Sequence, residues 1–315
     1  MISVDDVSER LVEAINATYG VHPGHRAAHA KGVLCAGRFT PSPDAAGLSR
    51  AAHLSGAGAG EPLRAHVRFS NGSGDPNAPD ARRDGRGIGV KLYLPDGTTT
   101  DIVGLSLAPF FVRTPEDLIA FNEARRPDPE TGEIDIGRVT AFLGTHPETV
   151  PAVTAAMTHV IPASYVTLAY HSLHAFGFVD AGGTVRHGRY HFVPEAGEAA
   201  LSEEEASAAP PDYLRDELEK RLASGPAAFD VVVQLAEEGD AVDDPTAEWP
   251  DDRESVSLGR LEITALASDR DTGDDVLVFD PTRVTDGIEL TDDPILLARP
   301  GAYSVSVARR VAARR

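Results

Sequence analysis

The sequence predicts an α+β protein built around an antiparallel β-barrel, with helical insertions and a helical C-terminal segment. Two observations carry that prediction. Many short segments of strand character, separated by turn signals, run through most of the 315 residues. Apolar residues at helical spacing are confined to the N-terminus, two insertions and the C-terminus.

The elements follow in order. Behind Asp5 and Asp6, residues Val7, Leu11, Val12 and Ile15 recur at helical spacing and Gly20 supplies a stop, so the spacing predicts a helix over 4–20. A barrel region is expected over about 22–266. Within it residues 62–70 alternate: Leu63, Ala65, Val67 and Phe69 point one way, Arg64, His66, Arg68 and Ser70 the other. The polar face is read as an inner face that suits a ligand pocket. Further strands are expected at 88–94, 101–107, 165–171, 175–179, 185–193, 229–235 and 257–265. Pro95-Asp96-Gly97 and Ala181-Gly182-Gly183 mark turns between them. Helical insertions are expected at 115–125, where Pro115 opens the run, and at 212–223, where Leu214, Leu218 and Leu222 form a stripe. Residues 195–211, acidic and rich in alanine, read as a solvated loop. A last helix is expected over about 293–312, with Pro300 kinking it or starting a new one. No internal repeat is found, and the whole of 1–315 is taken as a single domain.

Composition narrows the function. A formal charge of -20 opposes nucleic-acid or anionic-membrane partners. The single cysteine, Cys35, excludes an intrachain disulfide and a cysteine-based zinc site. No run approaches about 18 consecutive apolar residues, so no membrane span is expected, and the acidic N-terminus does not resemble a secretory signal. A cytoplasmic protein is the expectation. Secondary structure alone leaves open a lipocalin-like barrel that merely holds an apolar ligand.

The motifs go further. Arg26-Ala-Ala-His29-Ala-Lys-Gly32 is followed by His66-Val-Arg68-Phe-Ser70, by Arg83-Asp-Gly-Arg86-Gly-Ile-Gly-Val-Lys91, and near the end by Arg299-Pro-Gly-Ala-Tyr303. Each fragment alone is weak: a lone histidine is usually structural, and Tyr303 alone reads as a half-buried helix aromatic. In this order, with matching sequence between them over roughly residues 20–310, they resemble the haem site of the catalase family. The resemblance implies a catalase-type barrel holding haem b (iron protoporphyrin IX). His29 would be the distal general acid/base and Ser70 its hydrogen-bond partner, the two catalytic residues. Arg26 and Arg68 would pair with propionates, Phe110 and Phe111 would border the haem, and Tyr303 would bind the iron as a phenolate. Arg299, four residues before the tyrosine, and Arg310, seven after it, match the family's arginines; a histidine matching His191 contacts the proximal arginine there. Arg83 and Arg86 read instead as a salt-bridged turn.

Departures matter as much. The family's distal asparagine is replaced by Leu105, with Ser106 adjacent, and a haem-stacking aromatic by Leu118. Ala28 stands where hydroperoxide-rearranging relatives carry threonine. The chain ends soon after Tyr303 and resembles the small catalase-related peroxidases. The expected function is a haem peroxidase reducing organic hydroperoxides or hydrogen peroxide with electrons from an unidentified donor, in a homo-oligomer. A true small catalase and a non-enzymatic haem carrier or sensor stay open as alternatives.

Overall fold

The computed structural model describes residues 4–55, 61–267 and 277–313; the remaining residues of the expected 1–315 domain lie outside the described set. Helix α1 (Val4–Tyr19) leads into β1 (Gly32–Pro41), two short helices α2 (Ala45–Leu48) and α3 (Ala52–Ser55), then β2 (Leu63–Asn71), β3 (Arg86–Tyr93) and β4 (Thr99–Leu105). Three helices follow, α4 (Pro115–Ala124), α5 (Ile136–Thr145) and α6 (Thr149–Thr158). Next come β5 (Tyr170–His171), β6 (Phe176–Val179), β7 (Val185–Pro194), α7 (Glu203–Ala208), α8 (Tyr213–Ser224), β8 (Ala227–Leu235), β9 (Ser255–Leu266), β10 (Ile288–Leu290) and α9 (Pro294–Ala312).

Eight antiparallel strands close a ring in the order β7-β5-β4-β3-β2-β1-β9-β8, because β8 pairs back onto β7 from Gly188↔Leu235 to Pro194↔Phe229. Closure removes the free edges of a sheet. Strands β6 and β10 extend from the first half of β7. Phe69 of β2, Tyr170 of β5 and Phe229 of β8 come from strands that are not neighbours, yet their rings lie 6.0 to 6.2 Å apart. They therefore meet across the barrel interior, where Val67, Val90, Phe192 and Val231 complete a continuous apolar core.

That packing reverses one expectation. The alternation on β2 is real, but its apolar side, Ala65, Val67 and Phe69, faces the interior. Arg68 and Ser70 face outward, and both are nevertheless buried. What buries them is a layer of helices, with α1 packed against α4 and α9.

Other expectations also change. Residues 165–171 do not form one strand: Tyr165–Thr167 is a 3₁₀ turn capped by Ser164, and only Tyr170–His171 pairs. The expected loop at 195–211 contains α7, which a Ser202–Glu205 capping box starts. Strand β1 was not expected, since Val33, Leu34 and Cys35 are buried in succession and show no period of two. Helices α5 and α6 were likewise unexpected. Helix α9 runs unbroken through Pro300, so the proline neither ends nor restarts it. Arg83 does pair with Glu203, but Arg86 is buried and donates to the carbonyls of Asp80, Asp84 and Arg82 rather than to a carboxylate. Among the described residues no helix is long and apolar enough to cross a membrane.

Candidate active site

Outside the barrel, between its β2–β3–β4 wall and helices α1, α4 and α9, lies a cavity of about 300 Å³. The sheet register builds its floor. Ser70 pairs with Gly87 and Gly87 with Leu105, while Arg68 pairs with Gly89 and Gly89 with Val103. Two rows of three residues thus lie side by side with a glycine at each centre, and the missing side chains leave the space. A Cβ on Gly87 would stand 2.9 Å from both His29 Nδ1 and Ser70 Oγ, and one on Gly89 would stand 2.9 Å from the Phe279 ring.

His29 sits over the first row. Its backbone has φ +54°, the left-handed region that non-glycine residues rarely occupy, at a cost of about 1–3 kcal/mol. Bonds from His29 N to Gly72 O (3.2 Å) and Ala30 N to Ser73 O (3.0 Å) hold it there. Nδ1 lies 3.1 Å from Ser70 Oγ. Burial, reinforced by the guanidinium groups of Arg68, Arg299 and Arg26, pushes the imidazole down to about 3, so it is neutral at physiological pH. With Nδ1 engaged by Ser70, Nε2 is the nitrogen that can accept a proton from a ligand.

The opposite wall is α9. Ile295, Ala298, Arg299, Ala302, Tyr303, Ser306 and Arg310 line the cavity, the spacing of one helical face. Asp293 caps the helix through the backbone N–H groups of Ile295 and Leu296, and its second oxygen accepts from His174 Nδ1 at 2.6 Å. His174 Nε2 accepts from Arg299 Nη1 at 2.9 Å, and Arg299 Cζ lies 5.8 Å from the centre of the Tyr303 ring. Burial drives His174 down to about 4, so it stays neutral, and a neutral ring with Nδ1–H is the form this relay requires. The chain Asp293–His174–Arg299 therefore fixes a positive charge beside the phenol.

The structure brings together His29, Ser70, Arg26, Arg68, Phe110, Phe111, Arg299, Arg310 and Tyr303 around this one cavity. His191 is not among them. It lies on β7 with Nδ1 2.6 Å from His171 Nδ1, and the contact to Arg299 expected of it belongs to His174. His174 was in plain view within His171-Ser-Leu-His174, but β7 places His191 at the sheet register opposite His171 instead. Leu105 and Leu118 both line the cavity. Ser106 is engaged elsewhere: its hydroxyl accepts from Arg86 N and meets His159 Nε2 at 2.7 Å. Sequence reasoning also missed Asn122 and Arg125 of the α4 end, and the cavity-facing residues Leu11, Val12 and Ile15 of α1.

These residues suit a haem. Among the described residues lining the cavity are five arginines and no carboxylate, in a chain of net charge -20, so an apolar body with acidic substituents fits the walls. Among the described residues no three His, Cys, Asp or Glu side chains converge on a metal position. A single phenol suits a metal whose other positions are filled by a macrocycle.

Two predictions arise from this geometry. Gly87→Ala is expected to displace the His29–Ser70 pair and lower kcat/KM for peroxide by about 10²-fold, with far-UV circular dichroism unchanged; unchanged kinetics would remove the glycine floor from the account. The second concerns pH. His29, His174 and His53 are buried, and burial holds the last, whose ring nitrogens have no hydrogen-bond partner, at about 4. Below the unfolded value of about 6.5 the unfolded chain takes up protons that the fold refuses, so each histidine removes about 1.4 kcal/mol of stability per pH unit until its folded value is reached. Urea midpoints of the apoprotein should fall between pH 6.5 and 4.5, less steeply for His53→Leu; a flat profile would contradict the burial argument.

The catalase family model matches residues 11–314. A catalase-related peroxidase of Mycolicibacterium paratuberculosis is 43% identical over 303 residues, covering 96% of this chain and 94% of that protein. One from Synechococcus elongatus is 35% identical, covering 96% and 88%. The structure of catalase A from Saccharomyces cerevisiae matches with a TM-score of 0.82 at 25% identity, covering 91% of this chain and 61% of that one. The chain thus spans about three fifths of that full-size catalase and nearly the whole of the two smaller relatives.

Proposed function

This chain belongs to the catalase family and is an oxidoreductase acting on peroxide, and from that premise we propose that it is a haem b peroxidase reducing organic hydroperoxides and hydrogen peroxide. The observation that carries the reading is a neutral, strained His29 braced by Ser70, across a cavity from Tyr303 and its relay-held Arg299. Haem, when bound, supplies the redox-active iron, with Tyr303 as its protein ligand and Arg26, Arg68 and Arg310 as partners for its carboxylates.

The protein's own residues manage the protons. His29 Nε2 takes the proton of the bound hydroperoxide and returns it to the departing oxygen as the O–O bond breaks. Ser70 holds the tautomer that leaves Nε2 able to do so. Arg299, anchored by His174 and Asp293, balances negative charge on the Tyr303 oxygen. In sum the hydroperoxide becomes an alcohol and water, with two electrons and two protons drawn from a small reductant.

Leu105 turns the balance from disproportionation toward peroxidase chemistry, because an alkyl side chain cannot hydrogen-bond a second peroxide at the position where the family carries asparagine. The apolar wall of Leu105, Leu118, Ile15 and Val103 also favours a peroxide with an organic body. Titrating the apoprotein with haem should give one equivalent bound, and the loaded protein should consume cumene hydroperoxide only when a reductant is present. Failure to bind haem, or consumption that ignores the reductant, would defeat the reading.

A further inference from the structure

Beside the two rows that floor the cavity, the same outer face of β2–β3–β4 carries a third, His66–Lys91–Asp101. Lys91 and Asp101 are 7% and 0% exposed, with Nζ 2.5 Å from Oδ1. The other carboxylate oxygen accepts from Arg283 Nη1 and from the backbone N–H of Asp280 at 2.9 Å. In return the Asp101 N–H and the Thr100 hydroxyl donate to Arg283 O at 3.1 and 2.9 Å.

Apart from the Lys91–Asp101 pair, these bonds join β4 to residues 280–283, which belong to no helix or strand and whose own bonds make only a local turn, Arg283 N–H to Asp280 O at 2.9 Å. The residues just before them are cavity wall. Leu277, Val278 and Phe279 line the cavity. The Phe279 ring covers Gly89, and Lys91 Nζ lies 5.5 Å from its centre. Leu277 O accepts from Arg26 Nη2 at 3.0 Å. A buried ion cluster adds little stability over well-packed apolar residues, so its position next to this wall points to a role in placement.

We propose that Asp101, with Lys91 and Arg283, is a positioning cluster that holds residues 277–283 as a preformed wall of the cavity and, through the Leu277 carbonyl, orients Arg26 toward a carboxylate of the bound haem. None of Asp101, Lys91 and Arg283 lines the cavity, and the cluster acts only through that segment. The inference rests on the haem reading above, and its test uses haem retention rather than turnover.

The wild-type protein and the Asp101→Asn, Arg283→Met and Arg283→Lys variants would be loaded with haem, and transfer to excess apomyoglobin followed by absorbance. Asp101→Asn and Arg283→Met are expected to lose haem about tenfold faster, the scale of one charged hydrogen bond, and Arg283→Lys to stay within about twofold of wild type. Should Asp101→Asn fail to fold, Arg283→Met, on a side chain 39% exposed, carries the test. Variants that lower the melting temperature of the apoprotein yet release haem at the wild-type rate would overturn the proposal, leaving the cluster a purely structural element. A wild-type protein that holds no haem would instead overturn the reading beneath it.

Discussion

His29→Ala is expected to lower kcat/KM for hydroperoxide by about 10²–10⁴-fold, the range for removing a positioned general acid/base, while the protein still takes up one haem. The two outcomes separate because His29 stands on the β2–β3 side of the cavity and Tyr303 on α9. Nothing in the α9 relay passes through His29, so haem affinity should change little. Burial and three arginines hold the imidazole at about 3, so the wild-type acid limb should contain no His29 titration between pH 5 and 8. An added imidazole that restores part of the variant's turnover would support a proton-transfer role. Full turnover without His29 would refute the distal-base assignment.

Tyr303→Phe is expected to have the larger effect on cofactor retention. Phenylalanine keeps the ring but removes the oxygen, so Arg299 would keep its place against His174 with no anion to balance. Haem should then dissociate at least about 10²-fold faster, since one good charge-assisted interaction alone is worth about 1.5–3 kcal/mol and a metal bond more. The ligand-to-metal charge-transfer features of a tyrosinate complex should vanish from the absorption spectrum. Retention of haem with an unchanged spectrum would assign the ligand elsewhere.

How much of this was legible in the sequence depends on whether a residue's role is local. The alternation of β2, the stripe on α9 and the N-terminal helix follow from periodicity, which is a property of each segment alone. Strand β1 escaped because both of its faces are covered: Val33 and Cys35 join the barrel core while Leu34 between them is buried as well. The two faces of β2 were told apart correctly, but which faced inward depended on barrel closure through β7 and β8, a contact far from β2 in sequence. His174 and His191 illustrate the same limit at the site. Both lie in the hairpin that resembles the family's, and only the position of Asp293, 119 residues away, selects His174. Leu105, named from the motif, does line the cavity, whereas the diversion of Ser106 to His159 required the fold. The capping box of α7 was readable in Ser202 and Glu205, and acidic composition was wrongly given more weight.

The proposed haem b peroxidase reduces peroxide with electrons from a reductant rather than from a second peroxide. The most direct measurement places the haem-loaded protein under an oxygen electrode with hydrogen peroxide and a phenolic reductant, recording oxygen release and oxidised reductant together. Peroxide consumption matched by oxidised reductant, with little oxygen, is the predicted result. Sustained release of one oxygen for every two peroxides, unaffected by the reductant, would contradict it and make the protein a small catalase despite Leu105.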